Sequence, residues 1–278
     1  MGDRKPRVEL VPWDFDSQEH QERMYLQRLA CGWRSEEVQK WVELGRAATK
    51  TLYWIVCISP GRATCAKTPR LSSADSNLQK VLRDDLAGRE ELISQHLAEN
   101  PKASTRNPQS PCSVTRMKTR QPRPAAPSRT FVPIGHVALD LRGAENQRLG
   151  LTGGGIVWVA GLYVSYALQR HGLGREVMGR AERLASRDPS LGARWIVLDT
   201  MPRGQQLSPA FVEKVYLAQG RPAPALAIQD WYEGQGYEVF AEEAGGYKWA
   251  NPETGEREDI DYIFLRKRQR RRQLEAKS

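Results

Sequence analysis

The stretch Ile156–Ala185 joins a strand pattern to a helix pattern through a short turn that contains glycine. Its first part, Ile156–Val164, is a continuous run of β-branched, aromatic and small apolar residues, which is typical of a strand buried on both faces. In the second part apolar residues recur at three- and four-residue intervals, at Leu173, Val177, Ala181 and Leu184. This spacing predicts an amphipathic helix. A strand, a turn and a helix in this order predict the central unit of an α/β domain.

The turn between the predicted strand and helix contains Q-R-H-G-L-G, residues 169–174. The first amide groups of a helix have no partner inside the helix, and the helix dipole adds positive potential there. An anion such as a pyrophosphate is stabilised at such a position, and glycines let it approach the backbone. The alternative interpretation is that Gly172 and Gly174 serve only a tight structural turn.

Two stretches resemble the GNAT family of N-acetyltransferases. Leu162-Tyr163-Val164 followed by Q-x-x-G-x-G is similar to the acetyl-CoA-binding core of that family, in which an Arg or Gln opens the loop. Further on, W-Y-E-G-Q-G-Y at 231–237 resembles the Y-E-x-x-G-F wording near the end of the family's last helix. The L-S-P-A-F-V-E-K stretch that begins at Leu207 is reminiscent of uncharacterised fungal members.

The resemblance implies an α/β (α+β) fold with a mixed central sheet flanked by helices. It also implies that acetyl-CoA is the cosubstrate and that a primary amine, of a small molecule or a protein, attacks the thioester directly in a ternary complex. Backbone groups around Leu162, Tyr163 and Val164 are expected to hold the pantetheine arm and the thioester oxygen. The predicted diphosphate loop consists of Gln169, Arg170, His171, Gly172, Leu173, Gly174 and Arg175.

Three side chains are candidates for proton transfer. Tyr232 stands where many relatives carry a tyrosine that protonates the leaving thiolate, although a tyrosine that only packs at a helix end is the alternative. His136 and Asp199 are candidate bases, the first for its ordinary pKa and the second for its place at a strand end beside the expected cofactor groove. For both, a purely structural role is the competing interpretation. His171 is expected to meet phosphate or solvent.

The rest of the chain is divided by composition. Residues 1–58 predict two helices, capped by Ser17 and Ser35, and a strand at Thr51–Ile58. Residues 59–130 predict an insertion with one helix in Ala74–Glu99, then a disordered basic portion. The expected core, 131–268, contains strands at Pro133–Leu141, Ala193–Thr200, Glu238–Tyr247 and Asp261–Leu265, and helices at Ser208–Leu217 and Pro224–Gly234. Residues 269–278 form a basic tail.

The net charge of +9 is unevenly distributed. Basic residues are concentrated in 100–130 and 266–278, and their excess exceeds the net charge, so the rest of the chain is mildly acidic. This distribution argues against a nucleic-acid surface on the folded body. A nucleic-acid-associated protein acting through 266–272 is one alternative function. A CoA-binding module with altered catalysis is another.

Other features narrow the class of protein. No apolar run reaches the roughly 18 residues of a membrane helix, and the N-terminus does not resemble a signal peptide. The four cysteines show no zinc-type spacing, so no metal is predicted. We expect an intracellular protein, cytoplasmic or directed to the nucleus by its basic tail. The acids near 253–261 favour a cationic acceptor or are simply a solvated turn. The acceptor and the oligomeric state stay open.

Overall fold

The structure is a computed structural model. It describes residues 7–58, 117–118, 130–131, 133–219, 223–250, 255 and 257–269. The predicted helix at Ala74–Glu99, the turn at 251–256 apart from Gly255, and the tail after Gln269 lie outside these residues. So does most of the basic portion that was predicted to be disordered, but Met117–Lys118 within it form a strand, so the prediction is wrong there.

The described chain alternates strands and helices. The strands are β1 (Arg7–Pro12), β2 (Lys50–Ile58), β3 (Met117–Lys118), β4 (Thr130–Phe131), β5 (Pro133–Asp140), β6 (Ile156–Val164), β7 (Trp195–Thr200), β8 (Glu238–Ala250) and β9 (Arg257–Arg268). The helices are α1 (Gln18–Cys31), α2 (Val38–Arg46), α3 (Gly143–Arg148), α4 (Leu173–Arg187), α5 (Arg203–Gln206), α6 (Pro209–Phe211) and α7 (Ile228–Glu233). Short 3₁₀ turns precede α2 and α4, and α6 continues as a π turn, Val212–Tyr216.

Seven strands form one mixed sheet in the order β1-β2-β5-β6-β7-β9-β8, and β3 pairs with β4 separately. β6 and β7 are parallel, whereas β1–β2, β7–β9 and β8–β9 are antiparallel. The fold class is therefore the mixed α/β sheet with flanking helices that the sequence predicts. By contacts the chain divides into two compact units, residues 1–138 with 161–181, and residues 139–160 with 182–278.

The first unit contains α1, α2, β1 and β2. β1 pairs with β2 from Arg7 opposite Ile58 to Pro12 opposite Tyr53. Its core is built from large apolar side chains that solvent does not reach, among them Met24, Trp54, Ile55 and Ile134. The backbone of β5 approaches β6 so closely at Gly135 that a Cβ there would lie 2.0 Å from the Tyr163 carbonyl oxygen. Only glycine fits at this position.

The second unit is built on β7, β8 and β9. Its core cluster contains Ile156, Trp158, Val197 and Phe264, and the Trp158 and Phe264 rings meet edge to face at 6.1 Å. Tyr237 donates a hydrogen bond to Glu182, and Lys267 forms an ion pair with the same carboxylate at 2.8 Å. These partners account for a carboxylate that is almost entirely buried.

Of the two predicted helix caps at the N-terminus, Ser17 is confirmed and Ser35 is wrong. The Ser17 hydroxyl accepts the His20 amide and caps α1, and Gly32 ends it in the left-handed conformation with φ 78°. Ser35 is the first residue of a 3₁₀ turn whose N-cap is Arg34, and no side chain caps this turn. The turn leads into α2, which buries Val38, Trp41 and Val42.

Several boundaries differ from the sequence prediction. β1 was not predicted, so the strand predicted at Thr51–Ile58 is the second of the chain. α3 was also missed, and the helix predicted from Pro224 begins only at Ile228. The last two strands are longer than expected because they pair with each other over Glu238–Ala250 and Arg257–Arg266. Pairing over this length extends both strands beyond the apolar residues from which they were predicted.

No helix in the described part of the chain is long and apolar enough to cross a bilayer.

Candidate functional site

The turn between β6 and α4 presents backbone donors that have no partner. Tyr166–Leu168 forms a 3₁₀ turn, Arg170 and Gly172 take positive φ values of 67° and 78°, and α4 begins at Leu173. The first backbone bond into the helix runs from the Glu176 amide to the Gly172 carbonyl. Within the described residues, none of the amides from Arg170 to Arg175 has a hydrogen-bond acceptor. Such a row of free donors at a helix start favours an anion.

Two hydrogen bonds attach the same turn to the ends of β5 and β6. The Ser165 backbone N–H donates to the Ile134 carbonyl at 2.9 Å. The side-chain Nε2 of Gln169 donates to the Val164 carbonyl at 2.9 Å. Gln169 therefore fastens the turn to the end of β6 through its side chain. Tyr163 and Val164 are buried, whereas Leu162 is half-buried.

The helix behind the turn is anchored by its apolar stripe. Leu173, Val177 and Ala181 are buried as the spacing predicts, and Met178 joins them. Arg170, His171 and Arg175 are exposed at the helix start, so two fixed cations accompany the free amides. A helix packed by its apolar stripe thus presents free amides and two arginines at its first turn, which are the groups that bind a diphosphate.

The strand that leads into the turn changes its backbone at Gly161. The parallel register of β6 and β7 joins Ile156–Trp158 to Trp195–Val197, although β6 itself continues to Val164. Gly161 has a positive φ of 56°, which favours glycine.

Tyr232 lies at the end of α7 and is 7% exposed. Its ring packs against Trp231 and Tyr237, at centroid distances of 4.9 and 5.6 Å. Burial, and then the negative charge of Asp199, raise the pKa of the Tyr232 phenol. The phenol is therefore protonated at neutral pH, and its hydroxyl has no hydrogen-bond acceptor among the described residues. A buried neutral phenol with a free proton is a suitable donor to an anion.

Asp199 is engaged in an ion pair. Its Oδ1 accepts from Arg142 Nη1 at 2.7 Å, while Arg142 Nε and Nη2 contact Asp140 Oδ2 at 3.2 and 3.1 Å. The guanidinium also lies over the Trp158 ring, 4.6 Å from its centroid. Burial alone would lower the pKa of Arg142, but Asp199 and Asp140 outweigh it and raise the pKa. Asp199 and Tyr232 thus lie within electrostatic range of each other in the second unit, beside a fixed cation.

His136 lies in the first unit and is fully buried on β5. Its Nδ1 lies 2.8 Å from Gln27 Oε1 and its Nε2 lies 3.4 Å from Arg28 Nη1. Burial, followed by the charges of Arg28 and Lys50, lowers the pKa of His136 well below its usual value. Both ring nitrogens are occupied and the cation is disfavoured, so this setting suits a packed neutral imidazole better than a base.

The remaining candidates are surface groups. His171 is exposed and its Nδ1 lies 3.4 Å from the Leu168 carbonyl. Of the acids near the last turn, Glu258 pairs with Lys214, Asp259 pairs with Lys248, and Asp261 accepts the Gly245 amide. Glu253 and Glu256 lie outside the described residues. The described acids are thus engaged within the fold, which weakens the case that they attract a cationic acceptor.

The fold resembles solved acetyltransferases at very low sequence identity. One similar structure is NAA60 of Arabidopsis thaliana in complex with acetyl-CoA, at 11% identity and a TM-score of 0.45, covering 94% of this chain and 98% of that chain. Another is the aminoglycoside 6'-N-acetyltransferase from Enterococcus faecium, at 11% identity and a TM-score of 0.45, covering 95% of this chain and 98% of that chain. A third, from Desulfovibrio desulfuricans, is assigned to the GNAT family, at 10% identity and a TM-score of 0.42, covering 94% and 99%.

No family model matches the sequence, and neither does any curated protein.

Two arginines that contact candidate residues were not identified from the sequence. Arg28 and Arg142 stand in no motif, and their partners His136 and Asp199 are 108 and 57 residues away along the chain. Arg142 lies two residues after the end of β5, so a charged residue close behind a buried strand was the one available signal.

Proposed function

We propose that the protein transfers an acetyl group from acetyl-CoA to a primary amine. The observation that carries the proposal is the row of unpartnered amides from Arg170 to Arg175 at the start of α4. Several free donors at one helix start compensate a diphosphate that has left water, and Arg170 and Arg175 add charge. The half-buried end of β6 at Leu162 supplies a place for the acyl end of the same molecule.

The reaction needs few side chains. The amine nitrogen attacks the thioester carbonyl carbon, the carbon–sulfur bond breaks, the thiolate takes up a proton and the new amide nitrogen loses one. Backbone donors of β6 would stabilise the charge on the carbonyl oxygen. Tyr232 would donate the proton to the thiolate. Its raised pKa keeps it protonated but makes it a weaker acid, so it acts best as a donor that shares its proton as the sulfur becomes charged.

The proton lost by the amine has two possible acceptors in the proposal. Asp199 has its Oδ1 on Arg142 and its Oδ2 without a bond among the described residues. Ordered water is the second. The buried and fully engaged His136 is the least suitable of the sequence candidates.

One substitution removes an amide without removing a side chain. Gly174 is the second residue of α4, where proline is tolerated because the amide has no helical partner. We expect Gly174→Pro to weaken coenzyme A binding by at least about tenfold, the contribution of one charge-assisted hydrogen bond. Isothermal titration calorimetry with coenzyme A and thiol release from acetyl-CoA with a panel of amines provide the measurements.

The matched control is Gly174→Ala, which keeps the amide and favours the helix. It should bind coenzyme A within about threefold of the wild type, since no donor is lost. Circular dichroism and melting curves show whether both variants fold. Equal binding by the two variants would contradict the amide site, and tight binding without thiol release from any amine would favour the altered-catalysis alternative.

A further inference from the structure

Arg28 is a buried guanidinium that faces no carboxylate in the described part of the chain. It lies on α1, is 4% exposed, and reaches His136 Nε2 through Nη1 at 3.4 Å. Its Cζ lies 5.2 Å from the Trp41 ring centroid. Nε is buried without a hydrogen-bond partner, and the described residues provide none for Nη2 either. A buried cation without a counterion is strongly unfavourable, so its retention needs an explanation.

The free atoms of Arg28 form one edge of its guanidinium, and the same edge binds acids elsewhere in this protein. Nε and Nη2 together contact Asp16 in Arg46, Asp140 in Arg142 and Glu145 in Arg148. These two donors match the two oxygens of a carboxylate. The described part of the chain supplies no acid to this edge of Arg28.

The surroundings of Arg28 add positive charge. The Lys50 Nζ lies over the same Trp41 ring, 5.2 Å from its centroid. The carboxylate that accepts from Trp41 Nε1 belongs to Glu37, and it pairs with Arg34 at 3.7 Å. His136 is neutral because burial and the two neighbouring cations lower its pKa. A buried guanidinium on the face of an indole, next to a neutral imidazole, favours an anion.

This cluster lies beside β6. A Cβ on Gly161 would lie 3.7 Å from Trp41 Cη2, and the rings of Tyr163 and His136 are 5.5 Å apart. Trp41 therefore contacts both the buried guanidinium and the strand that the proposed function assigns to the acyl end. An anion at Arg28 would belong to a molecule located next to the thioester.

We infer that Arg28 binds the carboxylate of the acceptor, which makes the acceptor an amine that also carries a carboxylate, such as a free amino acid. The inference rests on the proposed function, since it names the substrate class of the same site. The positive charge of Arg28 and Lys50 would also lower the pKa of the bound amine, and only the neutral amine is a nucleophile.

Paired amines with and without a carboxylate test the inference. The pairs are glycine and methylamine, phenylalanine and phenethylamine, and lysine and cadaverine. Thiol release from acetyl-CoA is measured for each, together with the melting temperature in each compound without cofactor. For the best pair, the wild type should prefer the carboxylate member by at least about tenfold in kcat/KM.

Three variants locate the effect. Arg28→Met should abolish the preference and leave the melting temperature unchanged or higher, because it removes a buried cation without a carboxylate partner. Arg28→Lys keeps the charge but loses the planar edge, so it should keep only part of the preference. Arg46→Met, at an exposed arginine paired with Asp16, is the matched control and should keep all of it.

Each outcome has a defined meaning. Equal use of both members of every pair by the wild type would overturn the inference and leave the acetyltransferase proposal intact. A preference for the carboxylate member that survives in Arg28→Met would also overturn the inference. If that variant in addition loses much stability, Arg28 is structural. If no amine releases thiol and coenzyme A does not bind, the proposed function fails. The carboxylate-dependent melting shift, lost in Arg28→Met, then still decides whether Arg28 holds an acid.

Discussion

At the scale of single residues, His136 links pH to stability. Its pKa is lowered in the folded protein by burial and by Arg28 and Lys50, whereas the unfolded chain protonates it near its ordinary value of about 6.5. Between the unfolded pKa and the lowered folded pKa, the unfolded chain binds the proton and the folded protein does not. Stability is therefore fully present above the unfolded pKa and is lost as the pH falls below it. We expect the free energy of unfolding to fall by up to about 1.4 kcal/mol per pH unit below pH 6.5.

Chemical denaturation at several pH values measures this slope. His136→Gln cannot titrate, keeps a polar side chain at the position, and should show a shallower slope between about pH 6.5 and pH 5. An unchanged slope in this variant would mean that His136 is charged in the fold or that other groups dominate.

The proposed role of Tyr232 as a proton donor can be tested at its hydroxyl. Tyr232→Phe keeps the ring contacts with Trp231 and Tyr237 and removes only the hydroxyl, so kcat should fall by about 100-fold while coenzyme A binds as before. Because the pKa of the phenol is raised, the wild-type kcat should show no alkaline loss from this residue below about pH 10. Steady-state kinetics over pH checks both expectations, and an unaltered kcat in the variant would remove Tyr232 from the mechanism.

At the scale of elements, the contact between β5 and β6 allows one side chain only. A Cβ on Gly135 would meet the Tyr163 carbonyl oxygen at 2.0 Å. We expect Gly135→Ala to cost at least about 3 kcal/mol of stability, since backbone must move to relieve the overlap. Gly143→Ala is the control, because nothing lies within 4 Å of its Cβ position. Denaturant midpoints measure both, and similar values would contradict the close approach.

The elements also show what the sequence can and cannot predict. β6 and α4 were predictable because a buried strand and an apolar stripe are local patterns. α3 was not, because it buries none of its residues and so has no hydrophobic period. β1 is a short edge strand whose pairing with β2 is non-local.

The candidate site divides in the same way. The turn between β6 and α4 is local, and its glycines and helix start can be read directly from the sequence. The environment of His136 and Asp199 depends on Arg28 and Arg142, which are brought to them only by folding.

At the scale of the whole molecule, ligand binding must appear as stability. A ligand that binds only the folded state at about 100 times its Kd adds about 2.7 kcal/mol to the free energy of unfolding. The melting temperature should therefore rise with coenzyme A concentration. A melting temperature that coenzyme A leaves unchanged would contradict binding to the folded chain.

The central claim is that the free amides from Arg170 to Arg175 hold a diphosphate. Isothermal titration calorimetry with coenzyme A and with pantetheine, which has the same thiol arm but no diphosphate, tests it most directly. We predict that coenzyme A binds at least about 100-fold more tightly, as expected for a few charge-assisted hydrogen bonds. Equal affinity for the two compounds, or no heat with coenzyme A, would contradict the claim.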